Sequence, residues 1–150
     1  KIPGMQPIIM QPIGIIHTPY VDLAPFRPDE NIEGEFFLEV NPRYQSALQN
    51  LDEFSHIIVL FYFDRTKKIH LTAHPPNFPG KEVGLYASRS PFRPNHIGLD
   101  IVRLHNIEEN KIFTSHLDIL NNTPLLDIKP YVPDIDRKND ANSGWINPVK

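Results

Sequence analysis

Ile57-Ile58-Val59-Leu60-Phe61-Tyr62-Phe63, preceded by His56, is the longest apolar run in the chain, and it stops abruptly at Asp64-Arg65. It has the length of a buried strand and falls far short of the roughly 20 residues that a membrane-crossing helix needs. An unbroken run without polar alternation predicts a central strand covered on both faces. The charged pair at its end marks the place where the strand leaves the core, which is where functional side chains are commonly set.

Working outward toward the amino terminus, Glu35 to Val40 reads as a strand, and Asn41-Pro42 reads as an N-cap followed by proline at the first helical position. The helix predicted from Pro42 to about Leu51 brings Tyr44, Ala47, Leu48 and Leu51 onto one face, to lie against a sheet. Ile13 to Thr18 is rich in β-branched residues and closes at Pro19, as a first strand should. Between these strands, Tyr20 to Glu33 is a loop in which Phe26, Arg27 and Pro28 display an arginine on a proline-stiffened frame. Residues 1–12 carry prolines and glutamines that interrupt any signal-peptide core, so no export signal is read there.

Toward the carboxyl terminus, Thr66 to Gly80 is a long, basic, proline-rich connection. Ile97 to Leu104 predicts a strand with a bulge near Ile101-Val102, because Leu99 and Ile101 are out of phase with Val102 and Leu104. Lys111 to Leu120 predicts a strand with Phe113, Leu117 and Ile119 on one face and Thr114, His116 and Asp118 on the other. The second set forms either a site wall or a solvent face. Asn121-Asn122-Thr123-Pro124 is turn chemistry before a short apolar segment from Leu125 to Tyr131. The tail is polar and loop-like, with Trp145 available to pin it to the surface.

One helix among six or seven strands predicts a mainly β fold, a small single-domain antiparallel β-barrel with one or two short helices. Its expected limits are an extension over 1–12, the barrel over 13–133, and a tail over 134–150 that packs on or near it. A chain of 150 residues with 40% hydrophobic residues can fill one core. The 16 prolines, about twice the usual share of ~5%, punctuate its loops.

Zero cysteines exclude disulfides, thiolate nucleophiles and cysteine-ligated zinc, and cytoplasm is the default location. A net charge of −3 gives no global attraction to nucleic acid, so such a partner would need a local basic patch. Arg65, Lys67 and Lys68 form the densest one, readable as a phosphate contact or as a solvated loop. His70 and His74 are four apart, but Pro75 and Pro76 oppose a helix there, and no metal is expected. No glycine-rich loop links a strand to a helix, which removes the dinucleotide and P-loop readings.

The chemistry concentrates in Ala87-Ser88-Arg89-Ser90-Pro91-Phe92-Arg93-Pro94-Asn95-His96-Ile97-Gly98-Leu99. Prolines stiffen this stretch before any ligand arrives, and guanidinium forks suit a carboxylate or phosphate. A bland turn with both arginines in solvent is the competing reading.

This same run resembles the central motif of the TsaA-like (TrmO-type) methyltransferases, whose bacterial members methylate N6 of threonylcarbamoyladenosine in tRNA. Ile13 to Tyr20, Phe54 to Phe63 and Leu117 to Pro133, with Asp127-Ile128-Lys129-Pro130-Tyr131, match in the same order. His96 stands where bacterial relatives often have proline, and Asn121-Asn122 replaces an acidic residue and glycine. The resemblance implies a β-barrel that binds S-adenosylmethionine, commonly as a homodimer. It places cofactor contacts on Phe26, Arg27, Pro28, Asp64, Arg65, Arg89, Leu99, Ser115, His116, Leu117 and Asp118.

The expected activity is therefore S-adenosylmethionine-dependent methylation, with N6 of threonylcarbamoyladenosine in tRNA as acceptor. A base for the acceptor nitrogen could be His116, Asp118 or Asp127, and Lys129 is a further catalytic candidate. Arg93, Asn95, Lys67 and Lys68 are candidates for the substrate side. The rival readings are a sensor that binds S-adenosylmethionine without turnover and a methyltransferase for a small molecule.

Overall fold

The computed structural model describes residues 2, 4–24 and 35–146, so Phe26, Arg27 and Pro28 lie outside the described residues. In chain order the strands are β1 (Gly14–His17), β2 (Phe37–Val40), β3 (His56–Tyr62), β4 (Thr72–Ala73), β5 (Val83–Gly84), β6 (Ile97–Glu108), β7 (Lys111–Thr114) and β8 (Thr123–Pro130). Six of them close into a barrel in the order β1-β2-β7-β6-β3-β8, with β8 returning to β1. Every pair is antiparallel, which is the mainly β barrel that the sequence predicts. β4 and β5 form a small ladder inside the connection from β3 to β6. Among the described residues no helix is long and apolar enough to cross a membrane.

The period of two along each strand fills the barrel with one residue in two. Ile16, Leu38, Ile57, Val59, Ile112 and Leu125 are fully buried, each contributing about 1.5–3 kcal/mol of apolar burial. Gly98 also faces inward: a side chain there would collide with the ring of Phe61, so glycine makes room for that ring.

Several sequence expectations are corrected by this geometry. β3 is buried on one face only: Ile57, Val59 and Phe61 enter the core, while Ile58 and Leu60 are half-buried and Tyr62 is exposed. A barrel strand has one covered face, and the outer face of β3 is apolar and only partly covered among the described residues. β6 is in register with β3 from Ile97 to Arg103, so no bulge lies at Ile101-Val102; the irregularity falls between Leu104 and Asn106, opposite β7. Its inward residues are Gly98, Asp100, Val102 and Leu104, and Leu99 and Ile101 point outward.

The strand expected over 111–120 ends at Thr114. Ile112, not Phe113, is its core residue, because the chain leaves the sheet after Thr114 and resets its phase before Leu117 and Ile119 enter the core. The helix expected over 42–51 is a 3-10 helix at Pro42–Leu48, followed by Asn50 in the left-handed region (φ 69°) and a short 3-10 turn at Leu51–Glu53. The Asn41 side chain accepts from the amide of Arg43 as an N-cap should. Asn50 breaks the run before an α-helix can extend, and Tyr44, Leu48 and Leu51 still pack on the core.

Antiparallel neighbours alternate in direction, so the C-terminal ends of β1, β3 and β7 share one end of the barrel with the N-terminal ends of β2, β6 and β8. This mouth end gathers the motif loop, Asp64-Arg65 and the segment after β7. The opposite end is covered by the 3-10 turns, beside a recess of about 280 Å³ lined by Ile13, Val40, Tyr44, Leu48, Phe54 and Ile128, among others.

Candidate functional site

β6 is much longer than β7, and their pairing begins only at Leu104 opposite Thr114. Below that point the chain continues as residues 115–120, which cross the mouth without strand structure. Ser115 ties the start of this crossing to β6: its hydroxyl accepts from the Arg103 amide at 3.0 Å, and its own amide donates to the Arg103 carbonyl at 2.9 Å. Backbone groups alternate sides along a strand, so the amides and carbonyls of Leu99 and Ile101 point the same way as those of Arg103. Among the described residues, this edge of β6 has no strand partner from Ile97 to Val102. A groove with backbone donors and acceptors on one wall and Ser115 to Asp118 on the other is the result.

Asp100 sits in this groove. Its side chain is on the inward phase of β6, opposite Val59, and the nearby Asp118 and Arg89 act on it electrostatically. Burial, and after it the charge of Asp118, raise its pKa from 3.8 to about 7, while Arg89 pulls it down. Tyr20 lies next to Asp118. Its hydroxyl is buried without a partner among the described residues, and burial, then the Asp118 charge, raise its pKa. Phe36 packs between the Tyr20 ring (5.9 Å) and the His116 ring (6.1 Å).

The motif loop is held by its own polar groups. Ser88 Oγ donates to the Leu85 carbonyl at 2.7 Å and accepts from the Ser90 amide at 3.3 Å, and Ser90 Oγ accepts from the Phe92 amide at 3.3 Å. Arg93 Nη1 donates to the carbonyls of Ser88 (2.8 Å) and Ser90 (3.2 Å), with the guanidinium over the Tyr86 ring. The two arginines therefore divide: Arg93 braces the loop, and Arg89 is exposed with its charge directed at Asp100. His96 is buried, with its ring nitrogen 3.3 Å from the Lys68 carbonyl. Trp145 donates to the Ala87 carbonyl at 2.7 Å and packs on Phe78, so the tail returns to the motif loop.

The sequence candidates fall into separate groups. Arg89, Leu99, Ser115, His116 and Asp118 line or adjoin the groove. Leu117 is fully buried in the core, and only its backbone is free to face a ligand. Asp64 and Arg65 lie at the mouth, 3.8 Å apart, and Arg65 also donates to the Asn121 carbonyl. Lys67, Lys68 and Asn95 are exposed. His74 pairs with Glu82 at 3.0 Å and His70 stacks on Phe92.

Asp127 and Lys129 form a 3.3 Å ion pair away from the groove, on the outer face of β8. In the register Leu99, Leu60 and Asp127 form one row across that outer face, and Ile101, Ile58 and Lys129 form the next. Asp100, Tyr20 and Phe36 were missed from the sequence. The signal for Asp100 was present: counting back by twos from the core residues Val102 and Leu104 sets a carboxylate on the inward face.

The profile of the tRNA-methyltransferase O N-terminal domain matches residues 15–137. A Pyrococcus abyssi protein described as a probable S-adenosyl-L-methionine-binding protein is 40% identical over 141 residues, covering 93% of this chain and 76% of its own length. The tRNA (adenine(37)-N6)-methyltransferase of Escherichia coli is 33% identical over 144 residues, covering 89% of this chain and 61% of that protein. A crystal structure of TrmO from Pseudomonas aeruginosa shares the fold with a TM-score of 0.77 at 32% identity, covering 95% of this chain and 64% of that one. The chain thus spans less than two thirds of these two bacterial relatives. With the matching profile extending from β1 through the motif loop and groove to the turn after β8, this chain belongs to the family of the tRNA-methyltransferase O N-terminal domain.

Proposed function

We propose that this protein is an S-adenosylmethionine-dependent methyltransferase acting on N6 of threonylcarbamoyladenosine in tRNA. The observation that carries the reading is the unpaired edge of β6 facing Ser115 to Asp118. A base can meet the Leu99 amide and carbonyl there, Asp118 can accept from a ribose hydroxyl or an ammonium, and Arg89 can take a carboxylate. Those are the three polar parts of S-adenosylmethionine. The name of the Pyrococcus relative supports the cofactor, and that of the Escherichia relative supports N6 of a tRNA adenine as acceptor.

S-adenosylmethionine supplies an electrophilic methyl group on a sulfonium. The residues of this chain chiefly orient it, since an in-line displacement depends on alignment. Arg89 holds the carboxylate end of the ligand, the β6 edge holds the base at the other end, Asp118 holds the ribose or the ammonium, and Arg93 keeps the loop that carries Arg89 in one shape. Arg65, Lys67 and Lys68 supply positive potential for the tRNA backbone beside the same mouth, with Asn95 as a neutral donor. The enzyme works in the cytoplasm, with its substrate.

The protein acts as a homodimer through the outer face of β3 and β6. Ile97, Leu99, Ile101, Ile58, Leu60 and Tyr62 form a contiguous apolar surface there by register, with the Asp127–Lys129 pair at its border. An apolar patch of that kind on a barrel wall is an association surface.

The test is incubation with methyl-labelled donor and tRNA from a strain lacking the enzyme. Label in tRNA supports the proposal. Label confined to small metabolites moves the acceptor to a small molecule, and tight cofactor binding without transfer makes the protein a sensor.

A further inference from the structure

Trp145 reaches the motif loop from outside the residues that carry the family match, which end at 137. The tail presents it on a built turn. After the short helix at Pro133–Asp136, the Asn142 side chain accepts from the Gly144 amide at 2.9 Å, and the Ile146 amide donates to the Ser143 carbonyl at 2.9 Å. Gly144 has a φ of 53°, a left-handed position that glycine adopts without the strain a side chain would bring.

The indole meets two parts of the connection from β3 to β6. Its ring packs edge-on against Phe78 at 5.2 Å, and Phe78 lies in the loop of the hairpin formed by β4 and β5, where His74 pairs with Glu82. Its Nε1 donates to the Ala87 carbonyl at 2.7 Å, at the end of the 3-10 turn Leu85–Ala87 that leads from β5 into the motif loop.

A peptide group is planar, so fixing its carbonyl or its N–H orients the whole unit. The peptide joining Ala87 to Ser88 is held at both: its carbonyl by Trp145, and its N–H by the Leu85 carbonyl at 3.0 Å. The next peptide, from Ser88 to Arg89, is held at its carbonyl by Arg93 at 2.8 Å. The one after it, from Arg89 to Ser90, is held at its N–H by Ser88 Oγ at 3.3 Å. Arg89 thus joins the second and third of three pinned peptides, and Trp145 pins the first from outside the motif.

We propose that Trp145 is a positioning residue for Arg89. The tail fastens the start of the motif loop to the hairpin, so the backbone under the guanidinium is already ordered when the carboxylate of the cofactor arrives, and binding does not have to order it. This rests on the cofactor reading above.

Calorimetric titration with S-adenosylhomocysteine of the wild type, Trp145→Phe, Arg89→Ala and the double variant tests the role. Trp145→Phe keeps an aromatic ring for Phe78 and removes the N–H. It should melt within about 4 °C of the wild type, so that the titrations compare folded proteins. It should weaken binding roughly three- to tenfold, the effect of one hydrogen bond. In the Arg89→Ala background the same change should cost less than about twofold, because the group that the loop positions is gone.

A loss from Trp145→Phe that is equal in both backgrounds, or no loss in either, would overturn the positioning role while leaving the cofactor site standing. Folded wild-type protein that does not bind S-adenosylhomocysteine would overturn the cofactor reading itself, and the role of Trp145 with it.

Discussion

The two ends of the barrel are built from the same strands and differ in what they leave unfinished. At the far end, 3-10 turns carry Tyr44, Leu48 and Leu51 onto the core and leave an apolar recess of about 280 Å³. At the mouth, β6 runs past the end of β7, and the uncovered strand edge faces Asp118 with Arg89 and Asp100 beside it. The recess offers volume with little polar chemistry beyond Asp127, Gln49 and Asn50. The groove offers backbone donors and acceptors with Asp118, Asp100 and Arg89 beside them. Specific binding of a polar cofactor follows the placement of polar groups more than the available volume, which is why the cofactor is proposed to bind at the mouth.

The largest expected contrast is at Arg89. Arg89→Ala should weaken S-adenosylhomocysteine binding by about 1.5–3 kcal/mol, the range for a charge-assisted hydrogen bond, with little change in melting temperature. Its neighbour in the motif should behave the other way: Arg93→Ala, by releasing the carbonyls of Ser88 and Ser90, should lower stability by about 1–2 kcal/mol. Thermal melts and calorimetric titration of both variants would separate the roles, and identical profiles would erase the division.

Asp100 sharpens the contrast through pH. The folded carboxyl keeps its proton up to about 7, and the unfolded one loses it near 3.8, so folding takes up a proton between those values. The cost of Asp100 to the fold therefore grows as pH rises across that window. Asp100→Asn should stabilise the protein by about 1–3 kcal/mol at pH 8, and the gain should fade toward pH 4, as denaturant melts at the two pH values would show. A gain independent of pH would contradict the buried-proton assignment.

A smaller effect is expected outside the groove. Changing Lys67 and Lys68 together to glutamate should raise KM for tRNA severalfold and flatten its salt dependence, leaving cofactor affinity intact. Kinetics across a salt series would decide it, and an unchanged salt slope would remove these lysines from the docking surface. The smallest effect belongs to the far end. Ala47→Leu fills part of the recess and should leave cofactor affinity within about 0.5 kcal/mol of wild type. A large loss in titration would return the recess to consideration.

Much of the barrel was legible because β-branched and apolar runs such as Ile13 to Thr18 and His56 to Phe63 carry strand propensity wherever they pack. The Asn41-Pro42 cap was legible for the same local reason. What failed was phase. Leu99 and Ile101 are apolar and point outward, because the outer wall of β6 and β3 is itself apolar, and that pattern conceals the inward position of Asp100. Phe113 was set in the core with Leu117 and Ile119 because nothing in the sequence marks where the chain leaves the sheet after Thr114.

The site was legible as a set of residue types and not as a place. Arg89 and Arg93 look alike in the motif, and only the fold of the loop turns one onto its own carbonyls. Asp127 and Asp118 look equally suited to acid–base work, yet β8 carries Asp127 to the outer wall beside Lys129. The unpaired edge of β6 is a consequence of unequal strand lengths, which no local pattern reveals.

Backbone hydrogen exchange with and without S-adenosylhomocysteine tests the central claim most directly, because the groove is defined by backbone groups. Ligand should slow exchange at residues 97–103 and 115–118 and leave residues 42–51 unchanged. Protection confined to residues 44–51 and 127–130, with none on β6, would place the ligand at the far end and contradict the account.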